Sequence, residues 1–215
     1  MSPQMSENLA TSSQAGTAAK MPESWIIALL GEGRIGKTVL RVRFVLQLFI
    51  EDYDDTYDTE TGYRRQFAVD DRMCEVIFID LDGQFEERAA LRDNWIRAGQ
   101  GFVLMYSITS RESFDAVRAS CQSVQRIKGE NPIMMLVGTK YDKSFERTVS
   151  TEEGVALAKE LGCEFFETSA KTGQNVERAM KSLVQSLREA RTPASTPGPG
   201  SVGERKKKKS RCIIL

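Results

Sequence analysis

Histidine is absent from all 215 residues, and the four cysteines, Cys74, Cys121, Cys163 and Cys212, form no C-x-x-C pair. Together these absences argue against a zinc site of the usual spacing. Cys74, Cys121 and Cys163 lie among apolar residues and read as buried, reduced core thiols, which fits an intracellular protein. No apolar run approaches the roughly 18–20 residues of a membrane helix. The start, "MSPQMSENLATSSQAGTAAK", lacks the basic cluster and apolar stretch of a signal peptide. Net charge is lacking too. Thirty basic residues face 30 acidic ones, which points to neither a nucleic-acid binder nor an acidic solvating chain.

That balance conceals an asymmetry. Between Glu204 and Arg211 stand six basic residues (Arg205, Lys206, Lys207, Lys208, Lys209 and Arg211) and one acid, net +5, so the rest of the chain carries −5. Positive charge gathered at one end suits an anionic surface.

Composition divides the chain into three. Residues 1–22 are rich in Ser, Ala, Thr and Gln and are expected to be a disordered extension. Residues 192–203, "TPASTPGPGSVG", are a Pro/Gly/Ser linker that opens a tail over 192–215. Residues 23–191 form the candidate domain. "WIIALL" is a buried strand, and "TVLRVRFVLQLFI" predicts a helix running to Ile50. "YRRQFAVD" and "MCEVIFID" flank the turn Asp70-Asp71-Arg72 as a hairpin. "GFVLMYSI" and "PIMMLVGT" are buried strands, with one helix-length stretch, 110–128, between them. A helix near 151–161 leads to the short strand "CEFFETS". The last helix, 175–190, lines up Val176, Met180, Leu183, Val184 and Leu187 as one stripe. Alternating strands and helices with one hairpin predict an α/β fold around a mostly parallel sheet.

"GEGRIGKT" follows the first strand and opens the first helix. It matches G-x-x-x-x-G-K-[ST] at Gly31, Gly36, Lys37 and Thr38. Phosphate oxygens must touch several backbone N–H groups at once, and side chains would block that approach. The helix N-terminus adds positive potential, Lys37 reaches the terminal phosphates, and Thr38 can ligate Mg²⁺. A plain glycine-rich turn is the bland alternative, but a chance match in a chain of this length is on the order of 1%.

Four further segments narrow the nucleotide. "DLDGQ" places Asp80 at a strand tip, suited to the Mg²⁺ shell through water, with Gly83 as a bare N–H for a γ-phosphate and Gln84 to orient water. In "GTKYDK", Asp142 can accept from the N1–H and 2-amino groups of guanine, both missing in adenine; alone, this Asp is as readily a helix cap. In "ETSAK", Ala170 can offer its N–H to guanine O6 beside Lys171. In "YDDT", Thr56 can supply a second Mg²⁺ hydroxyl when a γ-phosphate is present.

In this order, "GEGRIGKT", "YDDT", "DLDGQ", "TKYD" and "ETSAK" resemble the successive signatures of the Ras-like small GTPases over about residues 23–191, plus the last four residues. The resemblance implies a single P-loop GTPase domain, a six-stranded mostly parallel sheet with helices on both faces. It implies a GDP/GTP switch served by a guanine-nucleotide exchange factor and a GTPase-activating protein, with GTP as substrate, GDP as product and Mg²⁺ as cofactor. Carried over, Gly31, Glu32, Gly33, Arg34, Ile35, Gly36, Lys37 and Thr38 would cradle the phosphates, and Phe49 would lie against guanine. Thr56 matches the switch threonine, 56 − 38 = 18 residues after Thr38. Asp80, Gly83 and Gln84 match the D-x-x-G-Q element. Thr139, Lys140 and Asp142 match the base-reading motif, and Ser169, Ala170 and Lys171 the last one. Gln84 and Lys37 would be catalytic; Thr38, Thr56 and Asp80 (through water) would hold the metal. Effectors would bind residues 53–66 by strand addition.

Several positions depart from the family pattern. Thr139 stands where the family usually has Asn, keeping a hydroxyl and losing an amide, which predicts weaker nucleotide retention. Asp82 replaces a small residue beside the γ-phosphate, where a carboxylate would repel an anion. Phe85 is an inserted residue after Gln84, and Asp55 replaces a proline in a longer loop. Asp82 and Phe85 motivate the alternative of a GTP-binding interaction module with negligible hydrolysis. No recognisable lid or acceptor site supports a P-loop kinase. Arg34 is the odd member of the phosphate loop, expected to face solvent; a bolder expectation is that it offsets Asp82.

The chain closes on Cys212-Ile213-Ile214-Leu215, a C-a-a-X pattern whose terminal Leu predicts geranylgeranylation of Cys212 by a prenyltransferase. The resemblance adds methylation of the lipoprotein tail. One lipid gives marginal anchoring, and the basic patch supplies the second signal toward anionic lipids. The expected location is the cytoplasmic face of the plasma membrane, with no nucleic-acid partner. Ser210 lies within the patch, where phosphorylation would weaken it electrostatically; an unmodified spacer is the simpler expectation.

Overall fold

A computed structural model describes residues 23–50, 64–82 and 89–191, the side chains of residues 80–91 excepted. Six strands form one sheet: β1 (Glu23–Gly31), β2 (Arg64–Val69), β3 (Arg72–Asp82), β4 (Gly101–Ser107), β5 (Ile133–Thr139) and β6 (Glu164–Glu167). Among the described residues six α-helices intervene: α1 (Lys37–Leu46), α2 (Ala89–Ala98), α3 (Arg111–Asp115), α4 (Val117–Lys128), α5 (Thr151–Leu161) and α6 (Val176–Arg191). A 3-10 turn spans Tyr141–Glu146.

The sheet order is β2-β3-β1-β4-β5-β6. Every neighbouring pair is parallel except β2 with β3. That hairpin turns at Asp70 and Asp71, whose φ of 50° and 57° match the twist of antiparallel strands. The inner strands are apolar on both faces because helices cover both. Ile27 and Leu29 of β1 join a cluster with Leu40 and Phe44 of α1 and Met180 and Leu183 of α6. Ala28 and Leu30, the alternate residues, join Ile96, Phe114, Val124 and Leu157 on the other face. Period-two alternation thus feeds two cores from one strand.

β1 sits between β3 and β4, where the chain's route across the sheet reverses direction. Crevices at the carboxyl ends of strands flanking such a reversal are where open α/β sheets bind ligands.

Several element limits differ from expectation. The first helix stops at Leu46, not Ile50: Gln47 turns left-handed at φ 58°, and Arg43 Nη1 donates to its carbonyl. Leu48 is consequently exposed, despite the apolar run that suggested helix. The stretch 110–128 is two helices, with Ala116 between them. The final strand is the shorter Glu164–Glu167, and the last helix is Val176–Arg191. The turn Tyr141–Glu146 had no signature in the hydrophobic pattern. The three cysteines expected in the core are buried.

Candidate functional site

β1 ends at Gly31, where nothing larger fits. A Cβ there would stand 2.4 Å from Ile35 Cδ1 and 2.5 Å from the Met105 carbonyl oxygen. Ile35 is buried and closes the loop from below. At the other end, Gly36 precedes α1 at φ 97°, a left-handed conformation that favours glycine. A Cβ on Gly36 would meet no protein atom within 4 Å, so backbone conformation is what selects this glycine. No side chain caps the helix at Gly36, and its first turn carries no acid. The N-terminal positive end of α1 is therefore left for an anion.

Lys37 is only 5% exposed, unusual for lysine. Its Nζ donates to the Gly31 carbonyl at 3.0 Å and the Glu32 carbonyl at 2.6 Å. The ammonium is thus held along the inside of the loop. Thr38 follows, half-buried, as the second residue of α1. Arg34 is exposed at φ 62°, as expected of a solvent-facing side chain.

Two loops from the neighbouring strands meet this one. The Thr139 hydroxyl, at the end of β5, shares its hydrogen between the Ile35 carbonyl (2.6 Å) and the Tyr106 carbonyl (3.0 Å). Lys140, left-handed at φ 62°, donates from Nζ to the Arg34 carbonyl at 3.0 Å. Burial lowers the pKa of its ammonium, and Lys143 adds to the effect. In the adjacent 3-10 turn, Asp142 Oδ1 accepts from Ser169 Oγ at 2.6 Å. Ser169 Oγ in turn accepts from Thr172 N at 3.1 Å. Backbone bonds from Tyr141 N to the Thr168 carbonyl (3.0 Å) and from Thr168 N to the Gly138 carbonyl (2.7 Å) complete the junction.

Between these loops lies a cleft of about 260 Å³ whose lining includes Gly36, Phe49, Lys140, Asp142, Ala170 and Lys171. Residues chosen from distant parts of the sequence thus converge on one concavity, whose lining also includes the apolar Ile35, Val39, Leu40 and Ile50. Phe49 reaches it because α1 ends early. On β3, the Asp80 backbone lies opposite Leu29 and that of Asp82 opposite Gly31. Thr56, Gly83, Gln84, Phe85 and Cys212 fall outside the described residues, as does the tail. Of the stretch 53–66, Arg64–Gln66 are described, on the edge strand β2. Arg147 and Glu167 were given no role from sequence. A glutamate directly after the apolar pair Phe165-Phe166 was the available signal, since a carboxylate buried there needs a partner.

A strand, a glycine-framed loop and a helix, joined to a cleft at the carboxyl ends of a parallel sheet, define the P-loop α/β class. A sequence model of the Ras family matches residues 26–189. The chain is 42% identical to "Protein ras-2" of Neurospora crassa over 222 residues, covering 88% of this chain and 96% of that protein. It is 45% identical to "Ras-like protein 1" of Pyricularia oryzae over 195 residues, 81% of this chain and 80% of that one. "Ras-like protein 1" of Saccharomyces cerevisiae matches at 42% over 164 residues, 76% of this chain and 52% of its own. The chain belongs to the Ras family and, with it, to the GTPases.

Proposed function

We propose that this GTPase is a lipid-anchored switch that holds GDP or GTP in the cleft beside Lys37 and shows its GTP form to effectors. The observation that carries this reading is the direct bonding of the base-reading loops to the phosphate loop, through Thr139 to Ile35 and Lys140 to Arg34. One end of a nucleotide is then positioned relative to the other before binding.

In this reading Asp142 accepts from guanine N1–H and the 2-amino group, Ala170 donates to O6, and Phe49 and Lys171 flank the ring. An adenine base would leave the carboxylate unpaired. The loop 31–38 donates its N–H groups to phosphate oxygens, and Lys37 turns its ammonium to them. The donor set fits Mg²⁺, a hard cation that takes oxygen ligands: the Thr38 and Thr56 hydroxyls, with Asp80 through water. Bound there, Mg²⁺ supplies charge neutralisation. Gln84 orients the attacking water, and an activating protein raises a slow intrinsic rate with an arginine.

Residues 23–191 serve as the GTPase domain, and residues 192–215 carry the basic patch and prenylated Cys212 to the cytoplasmic face of the plasma membrane. Residues 53–66 meet effectors, and an exchange factor opens the site. Single-turnover GTP hydrolysis by the full chain tests the catalytic assignment. Gln84→Leu is expected to abolish turnover and Asp82→Ala to preserve or raise it. Undiminished turnover in Gln84→Leu would remove Gln84 from the mechanism.

A further inference from the structure

Behind the cleft, and forming no part of its lining, lies an ion pair between a buried carboxylate and a half-buried guanidinium. Glu167, the last residue of β6, is 5% exposed. Its Oε1 accepts from Arg147 Nη1 at 2.5 Å, and its Oε2 from Arg147 Nη2 at 2.9 Å and Thr151 Oγ1 at 3.2 Å. Arg147 Nη1 also donates to the Val149 carbonyl at 3.0 Å, and its guanidinium lies 5.9 Å from the Tyr141 ring centroid. The Glu167 carbonyl accepts from Asn175 Nδ2 at 2.9 Å.

Sequence position gives this pair its significance. Arg147 directly follows the 3-10 turn that carries Asp142. Glu167 stands three residues before Ala170, on the strand that delivers Ser169. Side chains therefore fasten the two base-reading loops at two points, at their tips by Ser169 to Asp142 and at their roots by Arg147 to Glu167, on either side of the backbone bond from Tyr141 to Thr168. A planar two-pronged bond fixes both distance and angle, which a single hydroxyl contact does not. For stability alone, a pair with its carboxylate buried is a poor device, since apolar residues of like volume do as well or better.

We infer that Arg147 and Glu167 are positioning residues for base selection, holding the Asp142 and Ala170 loops at the separation a guanine ring requires. The inference rests on the guanine site proposed above. Its consequence is specific. Inosine diphosphate keeps N1–H and O6 but lacks the 2-amino group, so the preference for GDP over it measures how squarely Asp142 faces the base.

The test uses the full chain in three forms: parent, Arg147→Lys, and the double variant Arg147→Met with Glu167→Leu, which removes both charges and leaves neither buried alone. Release rates of GDP and inosine diphosphate are measured, along with single-turnover hydrolysis of preloaded GTP. The double variant is expected to release GDP about 10-fold faster, with its preference over inosine diphosphate reduced about five-fold and hydrolysis within about two-fold of the parent. Arg147→Lys should fall between. A folded double variant that matches the parent in release and preference would overturn the inference. So would equal acceleration of both nucleotides, which is general loosening. If the double variant does not fold, the same preference ratio in Arg147→Lys decides: a reduced ratio supports the inference and a parental one overturns it. A parent that holds ADP as firmly as GDP would instead defeat the guanine reading itself, before any variant is compared.

Discussion

Tyr106 carries a fully buried phenol whose hydroxyl has no hydrogen-bond partner among the described residues. Gly138 and Gly154 make room for it; a Cβ on Gly154 would come within 2.6 Å of the hydroxyl. Burial pushes the phenol's pKa well up, so it stays neutral. An unpaired buried hydroxyl costs roughly 1–3 kcal/mol, so Tyr106→Phe is expected to leave stability unchanged or raise it by about 1 kcal/mol. Thermal unfolding of the two proteins checks this, and a clear loss in Tm would show that the hydroxyl has a partner. Arg34 bears on the phosphate end. Its carbonyl is engaged by Lys140 while its side chain is exposed, so Arg34→Ala should keep the parent's ratio of GTP to GDP affinity. A fall in that ratio would support an offset of Asp82 by Arg34. At this scale the lining of the cleft was legible where its residues fall in short contiguous motifs. Asp142, Ala170 and Lys171, from two such motifs, line one cleft. Glu167 carried a signal of its own, but its pairing with Arg147 did not, because the two, 20 residues apart in sequence, meet only when β6 packs beside β5.

α5 shows how a helix end can carry pH dependence. Ser150 accepts from Glu153 N at 3.2 Å while Glu153 Oε2 accepts from Ser150 N at 2.9 Å, a reciprocal cap. Arg111 adds a two-pronged bond to the same carboxylate, at 2.7 and 3.0 Å. The Arg111 bonds first, then the Ser150 backbone bond, hold the Glu153 carboxyl down to about 2. An unfolded glutamate titrates near 4.3, so the folded chain binds this proton less readily. The stabilisation is therefore full above roughly pH 5 and lost as pH falls toward 2. Tm measured against pH should show the parent's advantage over Glu153→Gln shrinking across that window. A constant difference would contradict the assignment. Helix lengths were less legible than helix existence. The run after Thr38 stays apolar past the point where Gln47 turns left-handed, and nothing in its periodicity marks that turn. The break at Ala116 is likewise silent in sequence, since alanine favours helix.

For the whole molecule, a mostly parallel sheet covered on both faces leaves its cleft to the loops at the carboxyl ends of the strands. The strands themselves came through from apolar runs and one hairpin, because strands covered on both sides must be apolar throughout; their order across the sheet had no signature in the sequence. The same chain places its charge asymmetry in residues 204–211, beyond the described residues. If the tail anchors as proposed, Cys212→Ser should move the protein from the membrane to the soluble fraction in cell fractionation. The parent's vesicle binding should also weaken with added salt, since surface attraction is screened over about 8–10 Å at physiological ionic strength. Unchanged partitioning of Cys212→Ser would reject the anchor.

The central claim is that the three loops form one site for a guanine nucleotide. Equilibrium binding of GDP and ADP to the full chain in Mg²⁺ tests it most directly, with Asp142→Ala as the companion. A site built to hydrogen-bond the guanine edge should prefer GDP on the order of 10⁴-fold, and Asp142→Ala should erase most of that preference. Equal binding of the two nucleotides by the parent, or an undiminished preference in Asp142→Ala, would contradict it.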